Sequence, residues 1–402
     1  MKSLKVHRPL LEIVCRALDE IFENKSYADK EVPKILKNNR QLGSRDRSFI
    51  AETIYDVVRW KRNYEAALTP ETRAFKWEAI VYLCLVNNEN YSIQNPDVFN
   101  PAILSLQHVK VDFDGRKSFP DWIDQRCSKE LNGSWNEIAK GLNQKARVYM
   151  RANRLKTDAE GLLKTLLDKN IEAVAHPMIR IGNKQIATPD CVEVLTKNNL
   201  KNTPFYDLGL FEFQDIGSQA IGSLCEAEND TEVLDLCAGG GGKTLHLSAI
   251  MQNQGKLYAT DFDQKRTEQL QKRLAIAGCK NIKILPFKAA NNLNNLDLVL
   301  IDAPCSGLGT FRRSPDQKWK LQEKALTTYN RIQSDLIFRS KFKVKPGGKI
   351  VYATCSILPS EGEIQIQRFL SRNRDFELKK ELRLSPHQYD GDGFYMAMLV
   401  KK

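Results

Sequence analysis

A series of short apolar segments in the second half of the chain constrains the fold more than any other feature of the sequence. Polar stretches with helical spacing separate these segments, and Gly, Asp or Pro stands at or near their ends. The segments cover residues 232–237, 256–261, 282–287, 296–302, 349–354 and 394–400. Apolar strands that alternate with helices are typical of βαβ units, in which helices cover both faces of a mostly parallel sheet. Such a sheet binds its ligand beyond the carboxyl ends of its strands.

The earlier part of the chain has two other patterns. Apolar side chains recur at helical spacing in 14–22 and 50–58, which predicts a helical domain over residues 1–140. Residues 146–156 then alternate like a strand and 159–169 like a helix, so we predict a small α+β module over 141–206 and the α/β domain over 207–402. A length of 402 residues accommodates this division.

Composition narrows the classes of function. Sixty-one Lys and Arg residues exceed 49 Asp and Glu, a net charge of +12 that favours a polyanionic partner such as RNA, although a basic surface without a partner has the same composition. Apolar runs fall far short of the roughly 20 residues of a membrane span. Nine cysteines without a CxxC pair argue against a disulfide scaffold and against a zinc site. We therefore expect reduced thiols and a cytoplasmic protein.

A glycine-rich turn follows the first strand of the α/β domain and opens a helix. It consists of Cys237, Ala238, Gly239, Gly240, Gly241, Gly242 and Lys243. A P-loop that binds nucleotide phosphates requires glycine where Cys237 stands, although Gly-Lys-Thr and an apolar strand ending in Asp302 imitate an NTPase. A nucleoside cofactor is the alternative, with an acidic residue at the end of the second strand for its ribose. Asp261 stands 19 residues after Gly242, close to the usual spacing.

Two cysteines follow later strands. Asp302 ends the strand 296–302 and precedes Cys305 in a Pro-Cys motif, and Cys355 follows the strand 349–354 in a Thr-Cys motif. A single cysteine at a strand end is commonly a small buried residue. If these strands are neighbours in the sheet, however, both thiols and the Asp302 carboxylate meet in one crevice.

Together these motifs resemble the RsmB/Fmu(Sun)/NSUN-type RNA cytosine-5 methyltransferases, of the bacterial type with a NusB-like N-terminal domain. The resemblance extends over nearly the whole chain, and its most specific element is the paired Pro-Cys and Thr-Cys motifs. It implies a Rossmann-like α/β methyltransferase domain that binds S-adenosyl-L-methionine. An all-α NusB-like domain and a small α+β RNA-recognition-like module are expected to precede that domain.

The same resemblance implies residue roles. Cys355 is the nucleophile, Cys305 assists release and Asp302 contacts the base, while residues 237–243, Asp261 and Asp302 bind the cofactor. Addition of a thiolate to cytosine C6 activates C5, which is otherwise too weak a nucleophile to accept a methyl group. The substrate is expected to be single-stranded or loop RNA, ribosomal RNA being favoured and transfer RNA remaining open, and the protein is expected to be a monomer. A non-catalytic RNA-binding assembly factor is the other alternative.

Several basic residues are candidates for contacts with RNA phosphates, and two positions depart from the family pattern. The basic candidates are Arg151 on the predicted strand of the small module and the pair Arg312 and Arg313 after the Pro-Cys motif. Gly239 and Gly240 occupy positions where the family usually has Ala and Pro, and each added glycine raises the ordering cost of the loop by roughly 0.5–1 kcal/mol. Lys288 stands where an acidic residue usually meets adenine.

Overall fold

The computed structural model describes residues 2–88, 91–93, 95–196 and 200–402. The chain forms two compact units. Met1–Gln144 and Phe311–Glu323 form the first, and Lys145–Thr310 and Lys324–Lys402 form the second. The segment Phe311–Glu323 therefore lies with the N-terminal part of the chain, although its position in the sequence suggested the α/β domain. The division into three domains at 140 and 206 stays a prediction.

Helices predominate before residue 145, and strands and helices alternate after it. The helices are α1 (Arg8–Phe22), α2 (Ala28–Asn38), α3 (Ser44–Ala66), α4 (Pro70–Arg73), α5 (Lys76–Val86), α6 (Asp121–Glu130), α7 (Trp135–Leu142), α8 (Ala159–Leu167), α9 (Pro204–Asp207), α10 (Ile216–Leu224), α11 (Gly242–Ile250), α12 (Gln264–Ala277), α13 (Gln317–Lys320), α14 (Lys324–Ser340) and α15 (Glu363–Arg372). The strands are β1 (Lys2–Leu4), β2 (Tyr91–Ile93), β3 (Val148–Ala152), β4 (Ala173–Ala175), β5 (Met178–Ile181), β6 (Lys184–Ala187), β7 (Cys191–Val194), β8 (Phe211–Phe213), β9 (Glu232–Asp235), β10 (Lys256–Ala259), β11 (Ile282–Ile284), β12 (Leu296–Asp302), β13 (Val344–Thr354), β14 (Phe376–Leu384) and β15 (Phe394–Lys401).

The first unit is mainly helical, as predicted. The apolar stripe of α1, including Val14 and Leu18, is buried in one core with α3 and α5. The sequence did not predict the short parallel pair formed by β1 and β2. In α13, the Trp319 indole N–H donates to the Val58 carbonyl at 2.8 Å, and Lys318 Nζ donates to the Arg59 carbonyl at 2.7 Å. These bonds attach the inserted segment to α3.

The second unit contains a seven-stranded sheet in the order β11-β10-β9-β12-β13-β15-β14. Neighbouring strands from β11 to β13 are parallel, and β15 and β14 are antiparallel to their neighbours. The mostly parallel sheet is confirmed, and all six predicted segments contribute strands. Side chains such as Leu300 and Ile301 are buried on opposite faces, which explains the continuous apolar runs. The additional strand β14 lies at an edge, and its exposed charged side chains concealed it in the sequence.

The small α+β module is also present in this unit. Its antiparallel sheet has the order β4-β7-β3-β8, helix α8 packs against it, and β5 and β6 form a separate hairpin.

In the described part of the chain, none of the helices is both long and apolar enough to cross a membrane. Because β9, β10, β12 and β13 run in the same direction, their carboxyl ends lie along one edge of the large sheet. The predicted catalytic and cofactor-binding residues lie at or just after those ends.

Candidate active site

The glycine-rich turn connects β9 to α11 through backbone conformations that side chains disfavour. Gly239 has a φ of +55° and Gly241 a φ of +91°. A Cβ atom on Gly241 would lie 2.3 Å from Leu270 Cδ1, so packing against α12 also requires glycine there. A Cβ atom on Gly239 would have no neighbour within 4 Å. The outer side of the turn is therefore open, while its inner side is closely packed.

Side chains from other elements hold this turn in place. The Gly239 N–H donates to Asp261 Oδ2 at 2.8 Å, so the acidic residue after β10 organises the turn directly. Arg273 of α12 donates to the Gly240 carbonyl and, at 2.6 Å, to Glu212 Oε2. The sequence reasoning missed Arg273, since nothing in the local pattern of α12 distinguishes it from the other basic residues there. These bonds restrict a turn that its four consecutive glycines would otherwise leave flexible.

Arg151 requires a correction, because it was predicted to contact RNA phosphates. Its side chain is only 2% exposed, and it donates to Gln214 and, at 2.6 Å, to the Gly242 carbonyl. Burial lowers the pKa of Arg151 to about 10, which leaves the guanidinium charged at neutral pH. The alternating pattern suggested an exposed basic face, but β3 is an interior strand of the small sheet, and its side chains are buried on both faces. Arg151 therefore supports the start of α11.

Arg312 requires the same correction. It lies in the first unit and is 2% exposed, its Nη2 donates to Gln144 Oε1 at 3.3 Å, and its carbonyl accepts from Arg59 Nη2 at 3.2 Å. A side chain packed in this way is not available to RNA phosphates. Its neighbour Arg313 is exposed, and a role for it in RNA binding stays a prediction.

The two predicted cysteines lie next to each other at the sheet edge. The Sγ atoms of Cys305 and Cys355 are 3.4 Å apart, within hydrogen-bonding distance for sulfur, and both residues are partly exposed. The strands before them, β12 and β13, are direct neighbours, with Asp302 opposite Ala353. The Gly309 N–H also donates to the Cys355 carbonyl at 2.9 Å. The sequence predicted this meeting of thiols on the condition that their strands are adjacent, and the strands are adjacent.

The charged groups beside the thiols differ in their effects. Lys243 Nζ donates to Asp302 Oδ2 at 2.6 Å. Burial opposes the charge on Lys243, but the Asp302 carboxylate and, more weakly, Cys355 favour it, and the pKa of Lys243 is raised overall. The pKa of the Cys305 thiol is raised well above its ordinary value by its hydrogen bond with Cys355, by burial, and by the negative charges of Cys355 and Glu361. Cys305 therefore retains its proton at neutral pH.

Other predicted and unpredicted residues lie around the turn. Cys237 is partly buried, and burial raises the pKa of its thiol well above the ordinary value. Lys288 is exposed in a 3-10 turn, Phe287–Asn292, after β11. Phe262, which directly follows Asp261, is 89% exposed, and the sequence reasoning did not select it. An aromatic residue after the acid at the end of the second strand is the signal that could have found it.

Solved structures place this fold in a class. The chain superposes on PH0851 with a TM-score of 0.80 at 22% identity, covering all of both chains. It superposes on NSun6 from Pyrococcus horikoshii, solved with SFG, with a TM-score of 0.61 at 20% identity, covering 70% of this chain and 98% of that one. The mostly parallel sheet, with a glycine-rich turn after β9 and an acid after β10, is a Rossmann-like fold.

Sequence comparisons define the family. Residues 223–400 match the family described as 16S rRNA methyltransferase RsmB/F, and residues 119–201 match the ferredoxin-like domain of RsmF/B-like methyltransferases. The chain is 31% identical, over 436 aligned residues, to ribosomal RNA small subunit methyltransferase B of Yersinia pseudotuberculosis serotype O:1b (strain IP 31758), covering 98% of this chain and 99% of that protein. The protein of the same name from Yersinia enterocolitica serotype O:8 is 32% identical over 296 residues, 70% of this chain and 66% of its own. The chain belongs to the RsmB/F family of rRNA methyltransferases.

The cofactor of this family is S-adenosylmethionine, and the residues at the sheet edge fit it. Asp261 lies just after β10, the place where an acidic residue binds ribose hydroxyls in nucleoside-binding α/β folds. The open side of Gly239, where a Cβ atom would meet nothing within 4 Å, leaves room beside the turn. The sequence motifs left open whether the protein is a methyltransferase or a P-loop NTPase. Membership of the RsmB/F family favours the methyltransferase.

Proposed function

We propose that the protein is an S-adenosylmethionine-dependent RNA cytosine C5 methyltransferase that acts on ribosomal RNA. The observation that supports it most directly is the 3.4 Å separation of the Cys305 and Cys355 sulfurs at the ends of neighbouring parallel strands. One thiol can add to a pyrimidine while the other lies close enough to act on the same ring. A single catalytic cysteine would not need such a neighbour.

Cys355 is the thiol that adds to cytosine C6. The Cys305 thiol retains its proton at neutral pH, and a protonated thiol is a poor nucleophile. A thiolate at Cys355, by contrast, interacts favourably with the positive charge of Lys243. The new bond between Cys355 Sγ and C6 moves electron density to C5, which becomes able to accept a methyl group.

Release requires two further steps by this chain's residues. A water molecule that hydrogen-bonds to Cys305 takes the proton from C5, and the electron pair of that C–H bond then restores the ring and expels the Cys355 thiolate. Asp302 contacts the base and stabilises the protonated N3 during the addition. Lys243 holds the Asp302 carboxylate at 2.6 Å and so keeps its orientation.

The glycine-rich turn, Asp261 and Asp302 would hold the cofactor. When bound, S-adenosylmethionine supplies a methyl group attached to a positively charged sulfur. Gly239 to Lys243 bring backbone close to it, and Asp261 binds its ribose hydroxyls. Arg273 and Arg151 hold the carbonyls of Gly240 and Gly242, which keeps the turn in the shape that the cofactor meets.

Ribosomal RNA is the proposed substrate, because the relatives covering the full length of the chain carry the name ribosomal RNA small subunit methyltransferase B. The target cytosine must leave its stack to reach the sulfurs, so a loop or an unstructured stretch of RNA is required.

Two thiols at this distance stay reduced only in a reducing compartment, which supports a cytoplasmic location. The protein is proposed to act as a monomer.

The test compares wild type with Cys355→Ala and Cys305→Ala, using methyl-labelled S-adenosylmethionine and separate pools of small-subunit rRNA and transfer RNA. Wild type should label the rRNA, and bisulfite sequencing should place the label on cytosine. Cys355→Ala should incorporate at the background rate. Cys305→Ala should accumulate a covalent protein–RNA adduct that survives a denaturing gel, because addition proceeds and release is slow.

Two controls make the result specific. Cys225→Ala changes a fully buried thiol outside the site and should leave labelling unchanged. Equal labelling by wild type and Cys355→Ala would contradict the proposed mechanism. Labelling of transfer RNA alone would contradict the proposed substrate but not the chemistry.

A further inference from the structure

Glu361 is a buried carboxylate that neither the sequence motifs nor the proposed mechanism uses. It lies in the turn between β13 and α15, and none of its surface is exposed. A charged group in the interior is unfavourable unless hydrogen bonds or an opposite charge compensate the loss of water. The identity of its partners therefore shows what the carboxylate does.

The partners of Glu361 come from both cysteine loops. Its Oε1 accepts from the Ser306 N–H at 2.9 Å and its Oε2 from the Ser306 hydroxyl, directly after Cys305. Oε2 also accepts from the Ser356 hydroxyl at 2.6 Å, directly after Cys355. Gln333 Nε2 of α14 donates to Oε1 at 3.1 Å. Within the described residues, the side-chain partners of Glu361 are therefore neutral donors, two of them adjacent in sequence to the two thiols.

We propose that Glu361 is a positioning residue, which holds the Cys305 and Cys355 loops at the separation that addition and release on one pyrimidine require. The inference rests on the proposed function for its catalytic consequence. A carboxylate suits this task because its two oxygens accept all of these hydrogen bonds at once. Glutamine has one acceptor oxygen and one donor NH₂ group, so it cannot accept from both loops without losing bonds.

The charge of Glu361 adds to the geometric effect. Its negative charge is one of the causes that raise the pKa of Cys305, after the hydrogen bond with Cys355, burial and the charge of Cys355. Glu361 thereby helps to keep the proton on Cys305. The same carboxylate therefore sets the distance between the two sulfurs and stabilises the protonated form of Cys305.

The test uses the full-length protein and two measurements. The first is methyl transfer to small-subunit rRNA, with kcat and KM for RNA and for S-adenosylmethionine. The second needs no substrate: diamide oxidises two nearby thiols to a disulfide, taking up two electrons and two protons in its N=N bond. The rate at which Cys305 and Cys355 become linked reports how well the two sulfurs are aligned.

Glu361→Gln should lower kcat by about 10- to 100-fold with KM values within about twofold, and should slow the diamide reaction by about tenfold. Glu361→Asp, which keeps the charge, should recover part of both rates. Ser356→Ala removes a single hydrogen bond to the carboxylate and should lower kcat by about 3- to 10-fold, which preserves the test if Glu361→Gln folds poorly. Glu377→Gln is the control, because Glu377 lies on the edge strand β14 and pairs with Lys379 of the same strand at 2.6 Å instead of with the cysteine loops.

Support requires both kcat and the diamide rate to fall in Glu361→Gln and neither to fall in Glu377→Gln. A loss of kcat with an unchanged diamide rate, or the reverse, overturns the positioning role. If wild type methylates no RNA, the proposed function fails by itself. The diamide rates then still decide whether Glu361 sets the distance between the thiols.

Discussion

Lys243 Nζ lies 2.6 Å from Asp302 Oδ2, at the point where the glycine-rich turn meets the end of β12. The side chains are 11% and 32% exposed, so water weakens this ion pair less than it weakens a surface pair. The contact joins the glycine-rich turn to the strand that leads into the Cys305 loop. It is an electrostatic link between the two halves of the candidate site.

Lys243→Met should lower the free energy of unfolding by about 1–3 kcal/mol, because it leaves the partly buried Asp302 carboxylate without its cation. Lys243→Met combined with Asp302→Asn should lose less than the sum of the single changes. Urea unfolding at fixed pH measures both. Lys256→Met is the control, since Lys256 and Glu232 form a pair that is 64% and 39% exposed. Equal losses in Lys243→Met and Lys256→Met would contradict the assignment of a strong pair.

Asp235, at the end of β9, should make stability depend on pH. Burial raises its pKa to about 7, against the opposing effect of the hydrogen bond from Thr244 Oγ1 at 2.7 Å. An unfolded Asp titrates near pH 4, so the folded state binds the extra proton between about pH 4 and pH 7. The stabilising contribution is therefore complete below about pH 4 and is lost as the pH rises through 7.

Asp235→Asn removes this titration. Between pH 5 and pH 8, the free energy of unfolding of the variant should therefore rise relative to that of wild type by on the order of a few kcal/mol. Denaturant unfolding of both proteins at the two pH values measures the difference. Asp168→Asn changes a carboxylate at an exposed position and serves as the control. Parallel pH profiles for wild type and Asp235→Asn would contradict the raised pKa of Asp235.

Alanine substitutions at Gly239 and Gly240, the two positions that depart from the family pattern, should change ligand binding in opposite directions. A Cβ atom on Gly240 would lie 3.5 Å from Arg273 Nη1, which is an ordinary contact. Gly240→Ala should therefore lower the free-energy cost of ordering the turn by about 0.4–1 kcal/mol. Binding of S-adenosylhomocysteine should become tighter by about two- to fivefold. Gly239→Ala should weaken binding, because a φ of +55° costs an L side chain about 1 kcal/mol. Calorimetry measures both, and a shift of the same sign in the two variants would show that φ does not control the turn.

Trp319 tests the assignment of the inserted segment. Its ring packs on Phe22 at 6.1 Å between centroids, and its indole N–H donates to the Val58 carbonyl. Trp319→Ala should destabilise the first unit by about 2–4 kcal/mol, and Trp319→Phe by less, since it retains part of the packing. Hydrogen exchange should accelerate in α1 and α3 rather than in the large sheet. Acceleration confined to the sheet would contradict this assignment.

The sequence predicted the large sheet well for a physical reason. Strands buried on both faces must be apolar along their whole length, so β9, β12 and β13 are visible as runs in the printed chain. The edge strand β14 has no such requirement and was missed. Arg151 was misread because alternation by itself does not distinguish an exposed strand from one that is packed on both faces and carries a buried arginine.

The sequence identified the two cysteines, Asp302, Asp261 and the glycine-rich turn because each lies at the end of a strand or within a few residues after it. Their chemistry depends on local spacing that the chain itself displays. Glu361 and Arg273 were not identifiable, because their partners, such as Ser306 and Gly240, come from distant parts of the chain. No local pattern encodes a hydrogen bond between two loops.

The amino-acid sequence by itself determined which segments become strands and which reactive side chains follow them, because burial and backbone preference act within a few neighbouring residues. Only the tertiary structure decided that β12 and β13 are adjacent, that their two sulfurs are 3.4 Å apart, and that Glu361 accepts hydrogen bonds from both loops. The contact between the two sulfurs and the contact between Ser306 and Glu361 join residues 50 and 55 positions apart in the chain, and only the packing of the whole second unit brings them together.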